Sequence, residues 1–436
     1  MISGWGMLGV PGREIRGEDL EALTDGAVLT RGLGRSYGDA SLPAPGTSTI
    51  VATPLADRIL AFDPEAAILR TEAGFSLNEL NRLFLTRGYF SPVTPGTSFV
   101  TVGGAVASDV HGKNHHRDGC FGEHVLRIKL RVADGRILEV SRDVEPELFR
   151  ATIGGMGLTG HILEVEFRLE KIASPWITFE SERVANIDAY VDALKDAAAK
   201  WPMTVGWIDC LRSGPSMGRG ILLKGRWASS SEAPPHAPPQ KKKLAVPFMF
   251  PNWAVNPLTI RLFNFLYFWK HLAKKKTGVM HPDSFFYPLD AVLHWNRIYG
   301  KRGFTQYQCV LPEKAGRQAA RRFLELLTKE GGASFLCVIK DCGPEGLGLL
   351  SFPMQGISIA VDIAVTGRTQ GVIDALNAFV IAQGGRIYLS KDAFTRAEDF
   401  RKMEPRLEAF LSVRKKWDPE GRLKSAQSVR VFGDKP

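Results

Sequence analysis

The glycine loop at residues 31–40, RGLGRSYGDA, follows the short apolar run AVLT and contains three glycines and two arginines. Glycine has no Cβ, so the backbone N–H groups of such a loop can approach a ligand closely, and nearby arginines favour a phosphate group. Two interpretations fit this pattern: a loop that holds an anionic cofactor, and a solvated glycine turn. An anionic cofactor is the first of these two hypotheses, and this stretch alone does not decide between them.

Length and charge limit the class of protein. A chain of 436 residues with 44% apolar and 23% charged residues is long enough for two or three globular domains, and this composition excludes a disordered chain. The formal net charge of +10 favours anionic partners, which include phosphate esters, a membrane surface and nucleic acid. Charge by itself does not distinguish these partners.

Cysteine usage and the N-terminal sequence bear on the compartment. The chain has five cysteines, an odd number without a CxxC pair, which favours reduced thiols over a disulfide framework or a structural zinc site. The first residues lack the basic and long apolar regions of a secretory leader, and no uncharged apolar run approaches about 18 residues. We therefore expect a cytoplasmic protein without a spanning helix.

The order of strand-like and helical patterns predicts an α+β fold. From residue 26 to about residue 172, short strand-like runs alternate with glycine-rich turns, and residues 229–243 form a loop rich in proline, serine and lysine. Residues 256–276 combine aromatic and aliphatic side chains with a terminal lysine run, which indicates one helix. Strand-like runs then frame two helical segments between residues 303 and 385, and a last helical pattern covers residues 396–419.

One glycine motif is misleading. Residues 155–160 match the pattern GxGxxG, which in a dinucleotide-binding fold follows a strand and precedes a helix. Here the order is reversed, since a helical pattern, EPELFRATI, comes before the glycines and an alternating strand pattern, HILEVEFRL, follows them. The motif therefore argues against a nicotinamide-binding Rossmann site, and the absence of GxxxxGK[ST] argues against a P-loop.

The segment 94–119 is dense in groups that bind ligands. It combines glycines and hydroxyl side chains with His111, Lys113 and Asn114. A zinc site made of His111, His115, His116 and His124 is one alternative, but no cysteine is near and basic residues interrupt the histidines. A polar loop against an anionic or flavin ligand fits the residue types better, and a solvated turn is the remaining alternative.

Three motifs together resemble a known superfamily. RGLGRSYGD, PGTSFVTVGGAVASDVHGKN and GGMGLTGHILEVEF occur in the order typical of FAD-binding domains of the vanillyl-alcohol-oxidase type. With FYPLDAVLHWNRIYGKRGFTQYQCVLP, SFLCVIKDCGP and IYLSKDAF, the chain is more narrowly similar to the family of decaprenylphosphoryl-β-D-ribose 2′-oxidases. The resemblance covers nearly the whole chain apart from a weaker stretch at about 175–280.

The resemblance implies a two-domain flavoprotein that holds FAD without a covalent bond. The N-terminal FAD-binding domain would span residues 1–173, an antiparallel-sheet substrate domain with helices would span 174–385, and residues 386–436 would return to the first domain. Members with covalent flavin carry a histidine where this chain has Arg35. The residues expected at the cofactor are Arg31, Gly32, Gly34, Arg35, Ser36, Tyr37, Gly38, Gly96, Thr97, Thr101, Gly103, Gly104, Ser108, His111, Asn114, Gly157, Ile162 and Tyr388.

The same resemblance implies where the chemistry occurs. The family's active-site lysine falls on Lys391, whose cation would balance negative charge at the flavin and orient the substrate hydroxyl; without the resemblance, Lys391 would be read as an exposed lysine at a strand end. The other catalytic candidates are Gln308, Tyr37 and His111. The residues expected at the sugar and its phosphate are Lys113, Phe286, Gln308, Lys340, Ser358, Ala360 and Lys391.

Two departures from the family pattern affect the substrate pocket. An active-site tyrosine of the family is replaced by Phe286, with Tyr287 displaced by one position. A pocket asparagine and a cysteine are replaced by Ser358 and Ala360. Because covalent inhibitors of the family attack that cysteine, this chain is expected to resist them.

The expected reaction is oxidation of the 2′-hydroxyl of a polyprenylphosphoryl ribose to a keto sugar, with hydride transfer to flavin N5. A separate reductase would complete an epimerisation toward arabinose for cell-envelope glycan synthesis. One alternative is an FAD-linked oxidase of a free sugar, sugar acid or aldonolactone, and another is a basic protein that binds nucleic acid or a membrane. We expect no nucleic-acid partner and no metal; residues 256–276 are either a core helix or a peripheral contact at the inner membrane.

Overall fold

The structure is a computed structural model that describes residues 1–436 and contains both helices and strands. The strands are β1 (Ile2–Ser3), β2 (Gly9–Val10), β3 (Arg13–Arg16), β4 (Thr30–Arg31), β5 (Thr49–Ala52), β6 (Ile59–Asp63), β7 (Ile68–Glu72), β8 (Tyr89–Phe90), β9 (Val125–Arg131), β10 (Ile137–Ser141), β11 (His161–Arg168), β12 (Glu170–Lys171), β13 (Ile177–Val184), β14 (Met203–Ile208), β15 (Gly220–Trp227), β16 (Leu244–Ala245), β17 (Lys275–Met280), β18 (Val292–Leu293), β19 (Phe304–Pro312), β20 (Cys337–Cys342), β21 (Gly356–Ala364) and β22 (Arg386–Ile387). The α-helices are α1 (Leu20–Leu23), α2 (Leu77–Phe84), α3 (Val102–Ala107), α4 (His115–Asp118), α5 (Pro146–Thr152), α6 (Ile187–Ala198), α7 (Pro257–Trp269), α8 (Pro282–Phe286), α9 (Gln318–Lys329), α10 (Thr369–Gln383), α11 (Ala397–Met403) and α12 (Leu407–Trp417).

The N-terminal part contains two sheets. Strands β3, β5 and β4 form a small parallel sheet, and the antiparallel sheet beside it has the order β10-β9-β11-β7-β6. Strands β9 and β10 form a hairpin that turns at Gly135, whose φ of 91° favours glycine. The glycine loop begins where β4 ends, as the sequence predicts.

The second large layer is an eight-stranded sheet with the order β17-β13-β15-β14-β20-β21-β19-β22. Every pairing in it is antiparallel. Helices α6, α9 and α10 pack together beside this sheet and bury Leu194, Phe323 and Leu376. The α+β fold class is therefore confirmed.

Two helical predictions need correction. The helix predicted over residues 256–276 is α7 and ends at Trp269, and most of the lysine run belongs instead to β17 at the edge of the large sheet. The pattern over residues 396–419 forms two helices, α11 and α12, because Pro405 lies between them and cannot supply the N–H that a continuous helix needs. None of the helices combines the length and apolar composition that crossing a bilayer requires.

The C-terminal segment joins the N-terminal part through partly buried polar contacts. Helix α12 packs against α5, and the Arg430 guanidinium donates to both carboxylate oxygens of Asp39 at 2.7 and 2.9 Å. Arg430 also forms an ion pair with Asp392 at 2.8 Å. These contacts hold the segment around residue 391 against the glycine loop.

Candidate active site

A cavity of about 1030 Å³ lies between the glycine loops and the eight-stranded sheet. Its wall is made by residues 30–41, residues 94–113, the turn at 156–162 and side chains from β14, β15, β19 and β20. This volume is at the upper end of ordinary ligand pockets, which suits a dinucleotide together with a substrate.

The glycine loop lies against the loop around residue 391. The Tyr37 N–H donates to the Ser390 carbonyl at 2.9 Å, and a Cβ on Gly38 would overlap the Asp392 backbone. At Gly34, φ is +63°, a conformation that L side chains rarely adopt. The motifs that contain Tyr37 and Lys391 are 354 positions apart in the chain. The glycines therefore allow two distant segments to form one wall of the cavity.

A second glycine loop faces the first. A Cβ on Gly32 would overlap the Thr101 side chain, and Thr101 Oγ1 accepts a hydrogen bond from the Gly104 N–H at 3.1 Å. Ser41 Oγ, also in the cavity wall, is buried and has no hydrogen-bond partner in the protein. Close-approach backbone and an unpartnered hydroxyl are what the phosphates and ribose of a dinucleotide require, so these residues fit FAD.

The two arginines of the glycine loop differ in their partners. Arg31 donates to the Ser3 carbonyl at 2.7 Å and pairs with Glu14 at 3.1 Å. The Arg35 guanidinium lies 4.4 Å from the centre of the Trp5 ring, and burial lowers its pKa. Arg35 has no ion pair in the protein, so its charge is available to an anionic ligand.

Three lysines bring positive charge to the cavity wall. Lys113 Nζ donates to the Phe286 carbonyl at 2.9 Å, and Lys340 Nζ lies 3.1 Å from His111 Nδ1. Burial lowers the pKa of Lys113 to about 7, of Lys340 to about 8 and of Lys391 to about 7. Clustered, half-buried ammonium groups without carboxylate ion pairs are costly unless an anion neutralises them, so this wall is complementary to a phosphate.

Lys391 and His111 both line the cavity, and Lys391 lies beside the glycine loop. Lys391 Nζ lies 4.0 Å from the centre of the Tyr37 ring. Burial, together with the charge of Lys340, lowers the pKa of His111, so the imidazole is neutral. The Gln308 amide nitrogen lies 3.0 Å from His111 Nε2, and Lys340 Nζ lies 3.1 Å from Nδ1, so each ring nitrogen faces one side-chain nitrogen.

A buried carboxylate behind the wall was missed by the sequence analysis. Asp362 accepts hydrogen bonds from Gln306 at 2.5 Å and Tyr299 at 3.3 Å, and burial raises its pKa to about 7. Gln306 lies in the cavity wall two positions before Gln308 on β19. The alternation of side chains along a strand could have predicted Gln306 from Gln308, but Asp362 follows only from the β19–β21 register.

Most of the predicted site residues lie in the cavity wall, and four do not. Gly38 supports the loop contact to Asp392, and Asn114 donates to the Pro92 carbonyl at 2.8 Å. Phe286 packs on Phe90 and Trp227 away from the cavity, so the neighbouring Phe285 takes its place in the wall. Ser358 lies behind Gln308, whose amide nitrogen is 3.2 Å from its Oγ. These four residues support the wall from behind it, and their contact with a ligand stays a prediction.

The histidines weighed as metal ligands have separate partners. His115 Nδ1 accepts from the Gly343 N–H at 3.1 Å, and His116 Nε2 lies 2.9 Å from the Trp201 carbonyl. His124 Nε2 lies 3.0 Å from the Asp118 carbonyl. Each ring is oriented by backbone in its own direction, which is the pattern of structural histidines.

Comparison with known proteins agrees with this geometry. A family model described as the FAD binding domain matches residues 22–141. A decaprenylphosphoryl-β-D-ribose oxidase of Mycolicibacterium smegmatis is 33% identical over 412 residues, which cover 93% of this chain and 89% of that protein. The chain belongs to this oxidase family. It is accordingly an FAD-dependent oxidoreductase of the vanillyl-alcohol-oxidase type.

Two other proteins are similar to this chain over different shares of its length. An uncharacterised protein of Streptomyces coelicolor is 32% identical over 82% of this chain and 99% of its own length. A putative D-arabinono-1,4-lactone oxidase of Neurospora crassa is 28% identical over only 32% of this chain and 25% of its own length. Similarity to the lactone oxidase is thus partial, whereas similarity to the ribose oxidase extends through the eight-stranded sheet, with Lys340 on β20, and through the segment after β22 that contains Lys391.

Proposed function

We propose that the protein oxidises the 2′-hydroxyl of a polyprenylphosphoryl ribose to the 2′-keto sugar. The observation that carries this proposal is the arrangement of Lys113, Lys340 and Lys391 around one cavity, together with two glycine loops suited to FAD. The relative from Mycolicibacterium smegmatis bears the name of such an oxidase. A phosphate-linked sugar would supply the anion that these buried lysines lack.

The proposed cofactor site uses backbone and hydroxyl groups. Gly32, Gly34, Ser36, Thr101 and Gly104 line the wall where the pyrophosphate and ribitol would lie. Because Arg35 offers no nucleophilic atom, we propose that the flavin is held without a covalent bond. Acid precipitation of the yellow holoenzyme should therefore leave all flavin in the supernatant, and flavin retained by the pellet would contradict this part of the proposal.

The remaining side chains would orient the sugar and move one proton. Bound FAD supplies the acceptor for the hydride of the substrate C–H bond. Since burial lowers the pKa of Lys391 to about 7, a large share of Nζ is the free amine at neutral pH and can accept the hydroxyl proton. The resulting cation stays next to the Tyr37 ring, 4.0 Å from its centre. Gln308 and His111 would fix the neighbouring hydroxyl groups.

The product determines the next reaction. A 2′-keto sugar must be reduced on the opposite face to give the arabinose configuration, so we propose a separate keto-sugar reductase as the functional partner. We further propose that the enzyme works at the inner face of the cell membrane, where a polyprenyl carrier resides. The proposed residue roles and partners extend beyond the family membership described above.

The deciding experiment is an anaerobic visible spectrum of the holoenzyme before and after addition of a short-chain polyprenylphosphoryl ribose. Bleaching of the flavin band by this compound, with no bleaching by unphosphorylated ribose, is expected. Lys340→Met should weaken binding of the phosphorylated substrate at least tenfold. Lys329→Met, at an exposed position on α9, serves as its matched control. A flavin that only free sugars or aldonolactones reduce would overturn the substrate in favour of the lactone-oxidase alternative.

A further inference from the structure

Helix α7 exposes an apolar stripe instead of burying it. Leu258, Leu262, Phe265 and Trp269 recur at steps of three or four residues and are 76%, 59%, 45% and 45% exposed. The opposite face of the helix is buried through Ile260, Asn264 and Phe268. An apolar stripe of this size on the outside of a globular protein is unusual and marks an interaction surface.

The segment before α7 extends the same surface. Phe248 is 63% exposed, Met249 40%, and Trp253 75%. After the helix, Leu272 is 85% exposed. We call the surface formed by residues 244–253 and 258–272 the apolar platform.

Charge around the apolar platform has one sign. Residues 233–282 contain eight lysines and arginines and no aspartate or glutamate. Lys242, Lys270, Lys274 and Lys276 make no ion pair within the protein. Exposed aromatic and aliphatic side chains beside unpaired lysines are the combination that binds the interface of an anionic bilayer.

The platform is continuous with the cavity. Phe263 and Tyr267 of α7 stack with 5.8 Å between ring centroids, and both lie in the cavity wall together with Leu272. Beyond them the wall is apolar along β14 and β15, through Val205, Trp207, Ile221 and Leu223. An apolar path therefore leads from the exposed helix toward the lysine cluster.

We propose that the apolar platform docks on an anionic lipid bilayer and that the isoprenoid tail of the substrate enters the cavity beside α7. The docking part stands on exposure and charge alone, whereas the tail route rests on the proposed function. An exposed apolar stripe flanked by lysines, with no acidic residue between residues 233 and 282, matches the surface of an anionic bilayer.

Flotation of the holoenzyme with vesicles tests the docking part without any substrate. Vesicles of phosphatidylcholine with about one-third phosphatidylglycerol should carry the protein, and phosphatidylcholine alone should carry much less. The double variant Leu262→Glu/Leu266→Glu should lose at least tenfold in partition coefficient. Leu55→Glu, at an exposed leucine in the N-terminal part, is the matched control and should bind like the wild type.

The charge contribution has its own variants. Lys242→Ser/Lys274→Ser should weaken binding to anionic vesicles by about twenty-fivefold, since each lysine near such a surface contributes about fivefold. The pair Lys329→Ser/Lys402→Ser, on exposed helical positions elsewhere, should have no effect. All these side chains lie outside the cavity wall, so flavin content and turnover of a short-chain substrate should be unchanged.

Three results would overturn the docking proposal: a wild type that does not float, a double leucine variant that floats equally well, or a wild-type dimer that this variant converts to monomers. The last result would identify the platform as an interface between copies of the chain. If the wild type floats but no phosphorylated ribose bleaches its flavin, the proposed function fails and docking stands. If short-chain substrate is oxidised and docking variants still oxidise a long-chain substrate in vesicles at the wild-type rate, the tail route fails.

Discussion

At the scale of single residues, three lysines share one cavity but have different neighbours. Lys340 contacts His111, Lys113 contacts the Phe286 carbonyl, and only Lys391 lies against the Tyr37 ring. Burial is the largest cause of the lowered pKa of all three. Since Asp362 is the carboxylate whose charge raises the pKa of Lys391, this pair sets the protonation of the proposed base.

The first prediction concerns the pH dependence of flavin reduction. The cation of a desolvated lysine is destabilised, so its pKa falls and the free amine appears as pH rises through about 7. We expect the anaerobic reduction rate to rise through that range and then level off. Asp362→Asn removes the carboxylate that stabilises the cation, and the midpoint should move to lower pH, as measured by stopped-flow absorbance.

Two variants at Lys391 complete this test. Lys391→Met should slow flavin reduction by about 10² to 10⁴-fold, the usual contribution of a general base. Lys391→Arg retains the charge but stays protonated, so it should not restore the rate. Equal rates for the wild type and Lys391→Met, at equal flavin content, would rule out this role.

The second prediction concerns thiol chemistry at Ala360. The five cysteines are buried, each with at most 1% exposure, whereas Ala360 lies in the cavity wall. The native protein should therefore resist thiol-directed electrophiles that enter the cavity, and Ala360→Cys should be labelled with one equivalent. Mass spectrometry of the intact protein measures both; stoichiometric labelling of the native cavity would disprove the expected resistance.

At the scale of structural elements, contacts between loops build the site more than any single helix does. The glycine loop after β4 touches the segment after β22 through the Tyr37–Ser390 hydrogen bond of 2.9 Å. Thr101, the N-cap residue of helix α3, packs against Gly32. These approaches leave no room for side chains.

The third prediction tests this loop contact. A Cβ at Gly38 would overlap the backbone carbonyl of Asp392, so Gly38→Ala should separate the glycine loop from Lys391. We expect a loss of about 1–3 kcal/mol in the free energy of unfolding and reduced flavin content. Gly371→Ala in α10, where a Cβ meets nothing within 4 Å, is the matched control and should be neutral or stabilising. Full flavin occupancy in Gly38→Ala would contradict the prediction.

At the scale of the whole molecule, two sheets and a returning C-terminal segment enclose one cavity. We propose domain limits at residues 173/174 and 385/386, with residues 386–436 returning to the FAD-binding domain. Support comes from β13, which starts the second sheet at Ile177, and from the Arg430 contacts to Asp39. Strand β22 still pairs with β19, so the second sheet continues just past the proposed limit.

The fourth prediction concerns this return. Arg430 pairs with Asp39 and Asp392, and its removal leaves one half-buried and one buried carboxylate without their cation. Arg430→Met should lower the free energy of unfolding by about 3 kcal/mol and release flavin more readily. Arg396→Met breaks an exposed ion pair with Asp374 and should cost less than about 1 kcal/mol. Chemical denaturation monitored by flavin fluorescence measures both, and equal effects would contradict the structural role of Arg430.

The sequence by itself determined the local features of this protein. Strand alternation, glycine loops and the reversed order around residues 155–160 identify the elements correctly, because side-chain periodicity and backbone freedom are local properties. Motif order also identifies the family and its cofactor. Sequence reasoning merged α11 with α12 and extended α7 too far, since a proline and a sheet edge ended those helices.

Only the tertiary structure decided which side chains face the cavity, which buried groups lie behind its wall, and which face of α7 is exposed. Phe285 and not Phe286 enters the wall because a short helix there rotates adjacent side chains to different sides. Asp362 reaches Gln306 through strand register, and the exposure of α7 depends on which face Asn264 anchors to Asp209, at 2.9 Å. Burial, charge proximity and pKa arise from residues distant in the chain, so no local pattern contains them.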